Sequence, residues 1–348
     1  MANLSRRNVL KALCLIPAGG LLRAQQHSKP APEYSTTVKV VNLFAIVRNS
    51  KGQVVKDLTQ DDFQLDEDGK PQTIRYFSRE TDLPLTLGLL VDTSGSERNV
   101  LPSERTASFR FLDKVMREDK DMAFVIHFDF QVELLQDLTG SKAGLRKALD
   151  QLEIRGGRQL QRRPSGGDGD GGGGGRYPGS GGGNHGGGTA LYDAVFLGAD
   201  ELMKKQPGRK ALIVLSDGVD NGSRLTLERA IEAAQRSDTL LYSILFEDPN
   251  GNSGFGGHGR RGGARRGGED GRKVLQRLSR ETGGRYFEVS KSQPIDQVYE
   301  SLDEELRSQY SIGYTSDAKT SSTDYRRIHL TTKQKSMTVQ TREGYYPS

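Results

Sequence analysis

The sequence runs to 348 residues, enough for about two domains of ordinary size and too long to depend on disulfide or metal staples for a core. Only 34% of the residues are hydrophobic and 43 are glycine, so part of the length does not enter a packed interior. The formal charge of +5 sits mainly in the first 24 residues, where Arg6, Arg7, Lys11 and Arg23 face no acid; without them it falls to about +1, which removes the charge argument for a nucleic-acid partner.

Residues 1–24 read as an export signal. Ser5-Arg6-Arg7-Asn8-Val9-Leu10-Lys11 resembles the twin-arginine pattern S-R-R-x-F-L-K, with Val9 where Phe is usual, and a short apolar stretch and Ala24 follow. That stretch is shorter than the roughly 18–20 residues of a membrane-spanning helix. Cys14, the chain's one cysteine, lies inside it, so the exported part holds neither a disulfide nor a thiolate ligand. The expected location is periplasmic or extracellular.

Residues 25–82 are expected to be β-rich. TVKVVNLFAIVRN is dense in β-branched residues and stops at the turn signal Asn49-Ser50-Lys51-Gly52; Phe63 and Leu65 alternate with polar residues, DEDGK makes a turn, and Ile74 and Tyr76 resume the alternation. Over residues 83–309 the pattern changes. Apolar runs (LTLGLLVD, DMAFVIHF, KALIVLSDG, TLLYSILFE, RYFEV) alternate with stretches of helical period (LPSERTASFRFLDKVM, SKAGLRKALDQL, TALYDAVFLGADELMKK, TLERAIEAAQRS, GRKVLQRLSRETGG, PIDQVYESLDEELRSQ). This predicts an α/β domain with a doubly wound, mostly parallel sheet flanked by helices. Two Gly-rich loops, 156–188 and 249–272, interrupt it; neither has the spacing of a phosphate-binding loop. Residues 310–348 return to period two in YSIGY, RRIHLTT and MTVQTR, and with the N-terminal segment they are expected to form a smaller β-rich domain.

Chemistry concentrates at Val91-Asp92-Thr93-Ser94-Gly95-Ser96, where the first strand of the α/β region ends. In open α/β folds that edge of the sheet hosts ligands. Asp92, Ser94 and Ser96 offer only oxygen, the donor preferred by hard divalent cations, and hydroxyls two residues apart on a turn converge on one point. Thr189 opens a helix and Asp217 stands in Leu215-Ser216-Asp217-Gly218, also at element ends. Taken singly, Thr189 is equally a helix cap, Asp217 a turn residue, and Asp92 with Ser94 a cap for the next helix.

Together these pieces resemble a von Willebrand factor type A domain: D-x-S-x-S at Asp92, Ser94 and Ser96, Gly-Thr-Ala-Leu-Tyr-Asp-Ala at Gly188 to Ala194, and the Ser-Asp-Gly at Ser216 to Gly218, in the family's order. The flanks, with Leu58-Thr59-Gln60-Asp61-Asp62-Phe63 and a closing Gly344-Tyr345-Tyr346, resemble an exported bacterial subgroup related to that family. The resemblance implies a metal-ion-dependent adhesion site in which Ser94, Ser96 and Thr189 coordinate the ion and Asp92 and Asp217 act directly or through water. It implies Mg²⁺, with Mn²⁺ or Ca²⁺ as alternatives, and a protein partner presenting Asp or Glu.

Catalysis is not expected. Ser94 lacks the glycine two positions earlier that a nucleophile elbow needs, no H-E-x-x-H occurs, and His127 lies on an apolar strand. Arg260, Arg261, Arg265 and Arg266 among glycines resemble RNA-binding tracts, but export argues against nucleic acid. A metal-independent scaffold is the remaining alternative. If residues 1–24 direct twin-arginine export, the double change Arg6→Lys and Arg7→Lys retains full-length precursor inside the cell, read by fractionation and immunoblot; unchanged secretion refutes the assignment.

Overall fold

The computed structural model describes residues 40–79, 83–152, 188–246, 270–316 and 324–347. The export signal, most of both Gly-rich loops and the arginine cluster at 260–266 lie outside the described residues. Residues 39–348 group as one compact unit.

In chain order the described elements begin with β1 (Val40–Arg48), β2 (Val54–Val55), β3 (Phe63–Glu67), β4 (Lys70–Gln72) and β5 (Ile74–Arg79). The α/β part follows: β6 (Leu85–Asp92), α1 (Leu101–Val115), β7 (Met122–Phe128), β8 (Val132–Thr139), α2 (Lys142–Asp150), α3 (Leu191–Phe196), β9 (Arg209–Leu215), α4 (Leu227–Arg236), β10 (Leu240–Phe246), α5 (Gly271–Thr282), β11 (Tyr286–Val289) and α6 (Ile295–Arg307). The chain closes with β12 (Tyr310–Thr315), β13 (Arg326–Thr332), β14 (Thr338–Gln340) and β15 (Gly344–Tyr345).

The molecule is a mixed α/β protein with three sheets. The largest has the order β11-β10-β9-β6-β7-β8, which puts β6 in the middle. β6 pairs in parallel with β7 and β9, β9 with β10, and β10 with β11, while β8 joins antiparallel at the edge. Every residue of β6, β9 and β10 is buried, as near-continuous apolar runs predict for strands covered on both faces. Alternate residues of β6 feed two cores. Leu85, Leu87, Leu89 and Val91 pack with α1, α2 and α6, and Leu90 packs with α3, α4 and α5. β8 was not among the strands anticipated; its half-exposed Val-Glu-Leu-Leu-Gln-Asp run lacks the apolar continuity of the central strands.

Local signals hold the helices. The Ser141 hydroxyl accepts from Gly144 N at 3.2 Å, Thr226 caps α4, and Gly283 ends α5 at φ 88°. The TALYDAVFLGADELMKK stretch departs from a plain helix: α3 gives way to a π-type turn over Leu197–Leu202 and a 3₁₀ turn over Met203–Lys205.

The N- and C-terminal segments pair with each other in shared sheets. They interleave: β1 pairs with β12 and β14, β12 with β5, and β13 with β3 and β15, all antiparallel, around a core of Leu43, Phe63, Leu65, Tyr310, Ile312 and Tyr314. Antiparallel pairing therefore predominates outside the six-stranded sheet. Ionic ties bind these strands to the α/β part. Glu305 of α6, 1% exposed, pairs with Arg48 of β1 and with Arg285 at 2.8 Å, and the Arg342 guanidinium donates to Asn42 O at 2.7 Å and pairs with Asp238.

Gly88 in the centre of β6 is required by packing. A Cβ built there would overlap the Phe124 ring and a Leu212 methyl from the two flanking strands. Gly88→Ala should destabilise the fold by about 1–3 kcal/mol through overpacking, with an unchanged denaturant slope; urea unfolding checks this.

Candidate metal centre

The end of β6 is locked to its neighbours before any side chain is considered. Asp92 is in register with Phe128 of β7, and Thr93 N donates to Phe128 O at 2.8 Å. One residue further along, Asp129 O accepts from Ala190 N at 2.7 Å, which brings the Thr189 loop to the same edge. On the other side Val91 is in register with Leu215, and the Ser216 hydroxyl donates to Asp92 Oδ2 at 2.7 Å. The three segments singled out by sequence thus emerge at one end of the sheet.

Side-chain geometry sharpens this. Oxygen atoms of Asp92, Glu97 and Asp217 all lie within 4.8 Å of one another. Asp92 has no exposed surface, Glu97 is 3% exposed and Asp217 is half-buried. Above them the hydroxyls of Ser94 and Ser96 sit 2.9 Å apart, Ser96 exposed to solvent and Ser94 half-buried. Ser94 N donates to Asp92 Oδ1 at 2.9 Å, the link that turns the chain out of the strand. Val219 N donates to Asp217 Oδ1 at 2.9 Å, so the turn reading of Asp217 also holds, and it leaves Oδ2 available. Gly218, at φ 77°, packs against Gly271 at the start of α5, where a Cβ on either residue would strike backbone.

Thr189 is 7% exposed and its main chain is fixed from both sides: its N donates to Asn221 Oδ1 at 2.7 Å, and its O accepts from Asn221 N and Gly222 N. The capping of α3 falls to other residues. Asp220 Oδ2 and Ser223 Oγ accept from Tyr192 N, and Asp193 accepts from Arg224 N and Leu225 N. Asp193 and Asp220 are thereby the struts that tie this loop to the start of α3. His127 is buried between Thr93 Oγ1 at 3.1 Å and Glu133 Oε2 at 3.2 Å.

Ser216, Glu97 and Glu104 were not among the sequence-derived site residues. Glu104 carried a signal, because it shares an inward helix face with Leu101, Ala107, Ser108 and Phe111, where an acid is out of place. Ser216 and Glu97 are short-range neighbours of the motif and carried none.

The electrostatics are those of crowded negative charge. Burial pushes the Asp92 carboxyl up to about 7; the Ser216 hydrogen bond opposes this and the charge of Asp217 adds to it. Burial, then Glu97 and Asp92, push Glu104 well above the carboxylate range. All the donors are oxygen and the charges acting most strongly on Asp92 and Glu104 are negative, so the cluster fits a hard divalent cation. A groove of about 1020 Å³ lies elsewhere, lined by α5, β13, β14 and the start of β11.

No family model matches the chain, and no curated protein matches it. Solved structures do. A von Willebrand factor type A protein from Catenulispora acidiphila aligns over 90% of this chain and 74% of its own length, at 11% identity and a TM-score of 0.46. Proximal thread matrix protein 1 of the mussel byssus, in a structure with a zinc-occupied MIDAS motif, aligns over 70% of this chain at 13% identity and a TM-score of 0.43. The chain spans about half of that mussel protein's length. The vWF domain of the pili tip protein Mfa5 from Porphyromonas gingivalis aligns over 64% of this chain and 94% of its own, at 12% identity and a TM-score of 0.41. At such identities and scores nothing transfers from these proteins, and the centre stands on its own geometry.

Asp92 links the centre to pH. Its carboxyl sits near 7 in the fold against about 3.9 in an unfolded chain, so the protonated form favours folding. That contribution is complete below about pH 4 and is lost as pH rises through about 7, on the order of a few kcal/mol. Chelator-treated protein should therefore melt at a lower temperature at pH 8 than at pH 5, with Glu104 acting in the same direction. Divalent cation at pH 8 should close the gap and Asp92→Asn should flatten it, both read by scanning calorimetry.

Proposed function

We propose that this chain is an exported binding module of the von Willebrand factor type A kind, built on a doubly wound α/β frame, that captures an acidic side chain of a protein partner through a divalent cation. The observation that carries the proposal is the meeting, at one sheet edge, of the Asp92, Glu97 and Asp217 oxygens within 4.8 Å beneath the paired Ser94 and Ser96 hydroxyls. Mg²⁺ is the ion assigned, with Mn²⁺ and Ca²⁺ accepted by the same donors. When bound, the ion supplies an electrophilic position for an anionic oxygen. The chain's own residues do the rest. Asp92 and Asp217 hold the site from below, Ser94, Ser96 and Thr189 present neutral oxygens, and Ser216 orients Asp92.

We read this as a binding centre and not a catalytic one. The two serine hydroxyls face each other, and both nitrogens of His127 are engaged by Thr93 and Glu133, away from either serine. Hydrolysis needs a nucleophile and a base in mutual contact. Among the described residues, no helix is long and apolar enough to cross a membrane.

Titration of the chelator-stripped protein with Mg²⁺ or Mn²⁺ should give saturable heat for one ion, and Ser94→Ala with Ser96→Ala should abolish it. Capture of a partner on immobilised protein should be lost in chelator and restored by Mg²⁺. Absence of heat in the parent protein, or equal heat in the double variant, refutes the reading and leaves a metal-independent scaffold.

A further inference from the structure

The turn after the paired serines carries a carboxylate outside the sequence-derived ligand set. Glu97 is 3% exposed, and its oxygen lies within 4.8 Å of those of Asp92 and Asp217. The main chain fixes it there. Glu97 N donates to Ser94 O and Val100 N donates to Glu97 O, each at 3.1 Å, so its side chain leaves a closed 3₁₀ turn.

Behind it stands Glu104, on the inward face of α1. It has no exposed surface, neither of its carboxylate oxygens has a hydrogen-bond partner, and the charges acting on it are those of Glu97 and Asp92. Buried polar atoms nearly always find partners, and a buried carboxylate facing two others is the environment least tolerant of being left alone. The charges that act on Asp92 and on Glu104 come from other acids of the cluster. A lone acidic group near a serine motif is explained by solvent, but Glu104 is out of solvent's reach.

We infer that Glu97 is a further ligand of the cation proposed above, and that Glu104 is the buried carboxyl behind it whose ionised form the same ion stabilises. The inference rests on that cation reading and alters its consequence. With Asp92, Asp217 and Glu97 already turned toward one point, the free protein satisfies the ion from within. An acidic partner then competes with Glu97 for one position, and Glu97 acts as the chain's own stand-in for the partner's carboxylate.

The test uses the full exported chain, stripped with chelator and titrated with Mn²⁺ at pH 8. Glu97→Gln should weaken Mn²⁺ binding by at least about tenfold and Glu104→Gln by about 10- to 100-fold, the range for groups that support a ligand. Water-proton relaxation counts the waters on bound Mn²⁺: Glu97→Gln should add one, and Glu104→Gln should leave the number unchanged. In metal-free protein at pH 8 both variants should melt at a higher temperature than the parent, because Glu97→Gln removes a repelling charge and Glu104→Gln removes a buried carboxyl that resists ionisation; this arm also shows that they fold. Parent-like affinity and water count in Glu97→Gln overturn the inference while Ser94→Ala with Ser96→Ala still abolishes binding. Failure of the parent to bind Mn²⁺ overturns the cation reading itself.

Discussion

Asp92 ends the central strand with no surface exposed to water, and a charge removed from solvent in that way is costly unless other groups answer it. The neighbouring structure is arranged around that problem. Two hydrogen bonds reach the carboxylate, one from Ser216 Oγ on the next strand's exit and one from Ser94 N on its own. Neither supplies charge. The charges that act on this cluster are those of its own acids: Asp217 pushes Asp92 away from ionisation, and Glu97 and Asp92 do the same to Glu104. Without a cation the cluster is held together by the fold, not the reverse.

The fold can do this because β6 is fixed on both sides. Its parallel register with β7 and β9 sets where Asp92, Phe128 and Leu215 stop, and each exit is then tied to the next by main-chain bonds that leave little freedom. Gly88 lets Phe124 and Leu212 close over the middle of the strand, and Gly198 lets the segment after α3 approach the same two side chains. The terminal strands brace the assembly from the other direction through Arg48, Glu305, Arg285 and Arg342. Precision at the sheet edge thus comes from contacts far from it.

Much of this was legible in the residues. The central strands announce themselves as unbroken apolar runs, because burial on both faces removes the need for alternation, and the caps at Ser141, Thr226 and Gly283 mark helix ends with local chemistry alone. β8 was missed because an edge strand half-open to water writes no clear period. Interleaving of the termini was beyond reach in detail, since pairing β1 with β12 and β14 joins residues nearly three hundred positions apart. At the site, the motif positions Asp92, Ser94, Ser96 and Asp217 fall at one edge, whereas Ser216 and Glu97 gain their meaning only from burial, and Glu104 shows itself in the sequence only as an acid on an apolar helix face. Asp193 and Asp220 gain their roles only from the fold, Asp193 accepting from Arg224 N and Leu225 N and Asp220 from Tyr192 N across the two loops.

The vertical order of the cluster bears on how a partner would meet it. Charged oxygens lie deep and the neutral hydroxyls of Ser94 and Ser96 lie outermost. Under the proposed reading, an incoming carboxylate would first meet groups that do not repel it, while the acids beneath lie buried, within a medium where their field is only partly screened. Reversing that order, with acids at the rim and hydroxyls below, would keep the same donors for a metal yet place like charges directly in the path of an acidic guest. The layering follows from the chain itself: Asp92 belongs to the buried strand, the serines to the turn that leaves it, and the 3₁₀ geometry after Ser94 folds Glu97 back under its own turn.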